Sequence, residues 1–165
     1  MNPYFAAQDV SVRLATEADA TALAPLLATL GYPTTASLVA GRLARLAAFG
    51  GSAVALVAAL DGDVVGLVTA HAFPSVHAEA PAAWLTTLVV EPTARGRGIG
   101  RRLVHAAEAW AATQGAVRVS VTSGTHRTEA HRFYEGLGYA LTGQRFSRPI
   151  GEGAATAFAP GTGAA

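Results

Sequence analysis

A turn with three alternating glycines limits the folds open to this chain more than any other feature of its sequence. Gly96, Gly98 and Gly100 follow an apolar run that ends at Val90 and overlap the start of a helical pattern at Ile99. Glycines leave main-chain N–H groups accessible, and a helix N-terminus adds unpaired donors and about +0.5 of an elementary charge. The turn therefore predicts a strand, an anion-binding loop and a helix in direct succession.

Arginines are concentrated in the same turn. Four of them lie between Arg95 and Arg102, and a guanidinium pairs well with phosphate oxygens. Several donors and positive charges that converge in this way suit a diphosphate. The residues predicted to bind it are Arg95, Gly96, Arg97, Gly98, Ile99, Gly100 and Arg101.

Other interpretations of the turn are weaker. A dinucleotide-binding fingerprint needs glycine where this chain has Arg101, and a Walker phosphate loop needs lysine, which is absent because all 12 basic residues are arginine. The formal net charge of +1 does not support a nucleic-acid surface around so short a basic cluster. A glycine turn that serves tight packing alone stays open.

Hydrophobic periodicity predicts a single α/β (α+β) domain over residues 1–150 and a flexible tail over 151–165, which is rich in glycine and alanine. The predicted order of elements is β-α-α-β-β-β-α-β-α-β, and the pair Asp61-Gly62 predicts a tight hairpin. The strands are predicted at 10–14, 53–60, 64–72, 83–90, 117–122 and 139–148, and the helices at 16–30, 38–46, 99–113 and 128–137.

Composition excludes several functional classes. The chain has no cysteine, which excludes disulfides, a thiol nucleophile and cysteine-based zinc sites. His126 and His131 have no partner at a metal-ligand spacing, so no metal is expected. Residues 1–13 lack the pattern of a secretory signal, and no apolar run is long enough to span a bilayer. We therefore expect a cytoplasmic protein with neither a membrane nor a nucleic-acid partner.

Two motifs resemble those of one enzyme family. The stretch from Val90 to Gly100, with Pro92, Arg95, Gly98 and Gly100 at their places, resembles the acetyl-CoA signature of the GNAT superfamily of N-acetyltransferases. The stretch 130–139, Ala-His-Arg-Phe-Tyr-Glu-Gly-Leu-Gly-Tyr, is similar to the second motif of that family. The resemblance covers approximately residues 10–148. It implies a mixed, mostly antiparallel central sheet flanked by helices, with acetyl-CoA as co-substrate.

The resemblance also implies a mechanism and the residues that take part in it. An acceptor amine of a small molecule or protein attacks the thioester directly, and main-chain groups of Leu88, Val89 and Val90 hold the pantetheine arm. Tyr134 is the predicted general acid, because a phenol with a pKa near about 10 is protonated at neutral pH. Arg127 stands where the family often has asparagine, and it is predicted to bind a phosphate.

Several features stay open at this level. No carboxylate lies on the fourth strand, so the general base is His71, His77, Glu79 or a water relay. By analogy with the family, the acceptor pocket is expected near Tyr32 and residues 73–77. The lack of a strand carboxylate also keeps a non-catalytic acyl-CoA-binding sensor as the alternative function. The apolar pattern leaves a homodimer open.

Overall fold

The computed structural model describes residues 10–150, so the predicted flexible tail at 151–165 lies outside the described residues. The strands are β1 (Val10–Leu14), β2 (Ala53–Leu60), β3 (Asp63–Phe73), β4 (Ala82–Val90) and β5 (Val119–Val121). The helices are α1 (Ala20–Leu30), α2 (Ala36–Ala47), α3 (Ile99–Thr113) and α4 (Thr128–Glu135). Short turns of 3₁₀ helix precede α1 and follow β4.

The five strands form one sheet in the order β1-β2-β3-β4-β5. The first four are antiparallel to their neighbours, whereas β4 and β5 run parallel because α3 crosses over between them. Leu60 pairs with Asp63 around the two-residue turn at Asp61 and Gly62, both of which have positive φ. This is the hairpin that the Asp-Gly pair predicts.

Each face of the sheet carries its own core. Leu103 and Val104 of α3 pack against the side chains of one face, including Val68 and Leu85. On the other face, α1 and α2 cover a second set of strand residues, among them Val57. The alternation of side chains along a strand explains why β2, β3 and β4 contribute to both cores. The mixed, mostly antiparallel sheet flanked by helices is therefore confirmed.

The predicted last strand, Tyr139 to Arg148, is not formed in the described part of the chain. Residues 139–150 have no regular secondary structure, and three of their apolar side chains are almost fully exposed: Leu141 (94%), Phe146 (90%) and Ile150 (87%). The neighbouring edge strand, β5, is only 3 residues long and offers a short ladder. A strand there would have only this short edge to pair with, which offers few hydrogen bonds to offset the loss of chain entropy.

Two elements after α3 are also shorter than predicted. The strand predicted over 117–122 is shorter, because only Val119–Val121 form it, and α4 ends at Glu135 rather than near residue 137. Both corrections concern the region after α3.

None of the helices within residues 10–150 has the length and hydropathy that a bilayer span requires.

Candidate active site

The glycine turn joins β4 to α3, as predicted. Gly96 and Gly98 adopt left-handed backbone conformations, with φ of +76° and +74°, that side chains with a Cβ rarely adopt. A Cβ at either position would meet no atom within 4 Å, so the main chain there faces open space. Gly98 is the N-cap of the 15-residue helix α3. An anion can therefore approach the first N–H groups of α3 without obstruction.

Some arginines of the turn make hydrogen bonds that hold the fold together, and others lie on the surface. Arg95 donates from Nε to the carbonyl oxygen of Val90 at 3.2 Å, which ties the turn to the end of β4. Arg102 donates to the carbonyl oxygen of Val10 at 3.1 Å and so holds α3 against β1. The side chain of Arg101 is exposed on the first turn of α3. The positive charge of this surface adds to that of the helix terminus.

The end of β4 has an open edge beside the turn. Its parallel pairing with β5 ends at Leu85, although β4 itself continues to Val90. Leu88, Val89 and Val90 pair with β3 on their other side, and their side chains pack into the two cores. Main-chain groups on the β5 side of this segment therefore lack a strand partner within the described chain. They can bind an extended ligand while the side chains stay packed.

The second motif lies against the glycine turn. A Cβ at Gly100 would lie 3.2 Å from Cζ of Phe133, so glycine permits the close approach of the Phe133 ring to α3. The rings of Phe133 and Tyr134 meet edge to face with centroids 5.2 Å apart. Gly100 thus has a packing role in addition to its predicted part in the anion site. This contact places Phe133, whose ring meets that of Tyr134, beside the first turn of α3.

Tyr134 is half-buried on α4, and its environment keeps the phenol protonated. Burial raises the pKa of Tyr134 above its usual value, and the positive charge of Arg127 acts in the opposite direction. Raising the pKa of a phenol extends the pH range in which it holds its proton. At neutral pH, Tyr134 therefore holds its proton.

Arg127 precedes α4 and contacts the end of a distant helix. Its Nη2 donates to the carbonyl oxygen of Leu30 at 2.7 Å, at the C-terminus of α1. This bond links the loop before α4 to the turn at Gly31 and Tyr32, where α1 ends. A guanidinium has five N–H donors, so this bond leaves others for an anion.

A cavity of about 620 Å³ lies between the helices α1 and α2 and the strands β3 and β4. Its volume is in the range of small-molecule sites. Tyr32 lies on one side and is 65% exposed, whereas His71 and the threonines of β3 and β4, Thr69, Thr86 and Thr87, line the strand side. The remaining lining residues are mostly apolar, namely Leu23, Leu27, Leu30, Gly31, Pro33, Val39, Arg42, Leu43, Leu46 and Leu67.

A β-bulge shapes the strand side of this cavity. Thr69 pairs with Thr87 and Ala70 with Leu85, which leaves Thr86 as an extra residue in β4. As a result Thr86 and Thr87 both line the cavity, although neighbours in a regular strand point to opposite faces. The hydroxyl groups of Thr69 and Thr86 lie 2.8 Å apart, within hydrogen-bonding distance. The bulge therefore adds polar groups to a wall that is otherwise apolar.

The loop after β3 belongs to a different depression. Phe73, His77, Glu79 and Trp84 line a second cavity of about 640 Å³ on the side of β5. The structure thus separates Tyr32 from the loop that was expected to share one pocket with it. Of the three candidate bases, only His71 lines the same cavity as Tyr32.

Sequence reasoning did not identify Arg42 or the threonines as site residues. The two adjacent threonines interrupt an apolar strand, which is a signal that the sequence does contain. Arg42 lies between Val39 and Leu46 at helical spacing, so α2 presents it on the face that lines the cavity. The spacing alone does not tell a cavity residue from a solvated one.

Comparison with known proteins agrees with this architecture. Residues 25–139 match the sequence model of the acetyltransferase (GNAT) family. The aminoglycoside N(6')-acetyltransferase type 1 of Stenotrophomonas maltophilia is 30% identical over 135 residues, which are 80% of this chain and 87% of that protein. The aminoalkylphosphonate N-acetyltransferase of Salmonella typhimurium is 33% identical over 90 residues, or 54% of this chain. The matched stretch spans only 58% of that relative's length.

A solved structure shows the same fold. The structure of AAC(6')-Iy in complex with the bisubstrate analogue CoA-S-monomethyl-acetylneamine has a TM-score of 0.74 to this chain at 16% identity. The similarity covers 86% of this chain and 98% of the other. At that level of identity the likeness concerns the fold alone.

Proposed function

The chain belongs to the acetyltransferase (GNAT) family, and from that premise we propose that it transfers the acetyl group of acetyl-CoA to a primary amine of a small molecule or protein. One observation carries the proposal. The strand β4 has an unpaired edge next to the open glycine turn, and it also forms a wall of the 620 Å³ cavity. A donor at the turn and an acceptor in the cavity would therefore meet along one strand.

The residues of the turn fit acetyl-CoA. The open main chain at Gly96 and Gly98 and the N-terminus of α3 suit its diphosphate, to which Arg97, Arg101 and Arg127 would add positive charge. The free edge at Leu88–Val90 suits an extended pantetheine arm, because main-chain donors and acceptors there lack a strand partner within residues 10–150. Acetyl-CoA supplies an acetyl group that its thioester activates for transfer. We further propose that residues 1–150 form one cytoplasmic domain.

The chemistry assigned to this chain's own residues is proton transfer. As the amine nitrogen bonds to the acetyl carbon, the carbon–sulfur bond breaks and the sulfur departs with its electron pair. We assign Tyr134 the proton that this sulfur receives, because burial keeps the phenol protonated. Main-chain N–H groups at the end of β4 are suited to stabilise the negative charge that develops on the acetyl oxygen.

We assign the removal of the amine proton to His71. An alkyl amine with a pKa of about 10.4 is mostly protonated at neutral pH, so a base that accepts this proton raises the fraction able to attack. Among the residues described, His71 is the only one of the three candidate bases that lines the cavity between α1, α2 and the sheet. His77 bonds instead to the hydroxyl of Ser75 at 2.7 Å in the other depression.

The two named relatives suggest the first acceptors to test. One acts on aminoalkylphosphonates and the other on aminoglycosides, so both classes belong in a panel with simple amines, amino acids and peptides. Release of free thiol from acetyl-CoA should be followed for each amine. Calorimetry with CoA measures binding separately.

We expect CoA to bind and at least one amine to be acetylated. If the protein gives no heat with CoA, the proposed function is wrong. If it binds CoA but acetylates none of these amines, the alternative of a non-catalytic acyl-CoA-binding module is favoured instead.

A further inference from the structure

The cavity that we assign to the acceptor is lined, within residues 10–150, by a positively charged side chain but by no carboxylate. Among the described residues that line it, none is aspartate or glutamate, and the one arginine is Arg42. The other polar side chains that line it are those of Tyr32, His71 and the three threonines of the strand wall. An acceptor with several ammonium groups would find no carboxylate here to offset the loss of hydration.

Arg42 lies where it can contact an acceptor. It belongs to α2, whose Val39 and Leu43 are buried against the sheet and also line the cavity. No hydrogen bond or ion pair joins the Arg42 side chain to another residue in the described part of the chain. Its guanidinium therefore keeps its donors for a ligand. Arg42 and Arg45, three residues apart on α2, are both exposed, and only Arg42 lines the cavity.

The strand wall and the helix wall of the cavity carry different polar residues. The strand wall carries His71, Thr86 and Thr87, next to the segment of β4 that we assign to the thioester. The helix wall carries Arg42 among leucines. An amine directed toward β4 would leave the other end of a short molecule facing α2, with apolar side chains around its methylene groups.

We propose that the acceptor is a small primary amine that also carries a carboxylate or a phosphonate, and that Arg42 binds this anion. A guanidinium pairs with either group through two parallel hydrogen bonds, and it repels a second ammonium group. The inference rests on the proposed acetyl transfer, since it names the substrate class of that same site. Arg42 is thus a specificity-determining residue.

A matched series of amines tests this proposal. Aminoethylphosphonate, β-alanine, ethylamine and ethylenediamine share one spacer and differ only in the distal group, and the homologues with longer spacers extend the series. We expect kcat/KM for the best anionic amine to exceed that of its uncharged counterpart at least about tenfold, which is the range of one charge-assisted hydrogen bond. The better of the two anions identifies the distal group.

Two substitutions locate the effect. Arg42→Gln should lower the ratio of kcat/KM between anionic and uncharged amines about 10- to 100-fold, mainly by raising KM, and Arg42→Lys should restore part of it. Arg45→Gln is the matched control on the same helix and should keep the wild-type ratio. Calorimetry with CoA verifies that each variant is folded.

The outcomes separate this inference from the proposed function. Faster acetylation of the diamine, equal rates across the series, or an unchanged ratio in Arg42→Gln would overturn the anionic acceptor and leave acetyl transfer standing. Failure to bind CoA, or to acetylate any amine of the series or the broader panel, would overturn both.

Discussion

The two sides of β4 are built in different ways. On the side of α3, the candidate donor site comes from one continuous stretch, residues 88–101, and it presents mainly backbone groups. On the side of α1 and α2, the candidate acceptor cavity is assembled from side chains of two helices and two strands that are distant in sequence. The first is a local structure, and the second is a product of tertiary packing.

This difference has a functional consequence. A cofactor with an invariant diphosphate can be held by main-chain groups, which are the same for every residue type. An acceptor is selected by side chains, and each of these can change without disturbing the turn. Binding of the donor should therefore depend on the backbone of the turn, and choice of the acceptor on the side chains of the cavity.

The largest effect is expected at Tyr134, to which we assign the proton that the leaving sulfur receives. Tyr134→Phe removes the proton donor while it retains the ring that packs on Phe133. We expect kcat to fall about 100-fold or more, with CoA affinity changed less than about threefold. Stopped-flow thiol release and calorimetry would measure the two quantities.

Tyr139→Phe is the control for Tyr134→Phe. It removes the hydroxyl that donates to Glu108 at 2.8 Å on α3 and retains the ring that lies 5.7 Å from the ring of Tyr134. Its effect should be a loss of about 1 kcal/mol in the free energy of unfolding, with kcat near that of the wild type. A near-normal rate for Tyr134→Phe would remove the general-acid assignment.

The next effect concerns the candidate donor site alone. Gly98→Ala forces a Cβ onto a backbone with φ of +74° and places a methyl group where the ligand would approach. We expect the Kd for CoA, measured by calorimetry, to rise about 10- to 100-fold. Gly41→Ala, in the exposed middle of α2, is the control and should leave the Kd unchanged. Equal Kd values for the two variants would contradict a backbone anion site at the turn.

A smaller effect is expected in the candidate acceptor cavity. His71→Gln should lower kcat/KM for an alkyl amine about tenfold near pH 7. The defect should shrink as the pH rises toward 10, because the amine then loses its proton without help from the protein. A pH profile of both proteins measures this trend, and His77→Gln serves as the control in the other depression. A defect that stays constant with pH would argue against His71 as the base.

The smallest effect on activity is expected from the contact that anchors α1. Arg13 donates two hydrogen bonds to Asp19, at 2.7 and 2.8 Å, and this lowers the pKa of Asp19 from 3.8 to about 2. Because the folded-state value is the lower one, the stabilisation is present above about pH 4 and is lost as the pH falls through 2.

Asp19→Asn tests this contact. The free energy of unfolding at pH 7 should fall by about 1–3 kcal/mol, and the difference from the wild type should narrow below pH 4. Urea denaturation at several pH values measures both trends. We expect the KM for the amine to change more than the Kd for CoA, since three residues of α1 line the acceptor cavity. A difference in stability that does not narrow between pH 4 and pH 2 would contradict the assignment to this ion pair.

Much of the fold follows from local signals. The Asp61-Gly62 pair predicted the hairpin, Gly31 and Gly98 mark helix boundaries, and apolar periodicity located the four long strands. The exception is the stretch after Gly138, where the alternation of residues predicted a strand that does not form. A strand exists only if a neighbour offers a ladder and a core, and β5 offers just 3 residues.

The sequence by itself determined the strand, turn and helix that contain residues 88–101, because glycine conformations and helix starts depend on adjacent residues. Only the tertiary structure decided that His71 shares a cavity with Tyr32 while His77 does not, and that a bulge turns Thr86 and Thr87 toward the same side. It also brought Arg42 to that cavity. These relations depend on register and on helix placement, which are set by contacts between residues far apart in the chain.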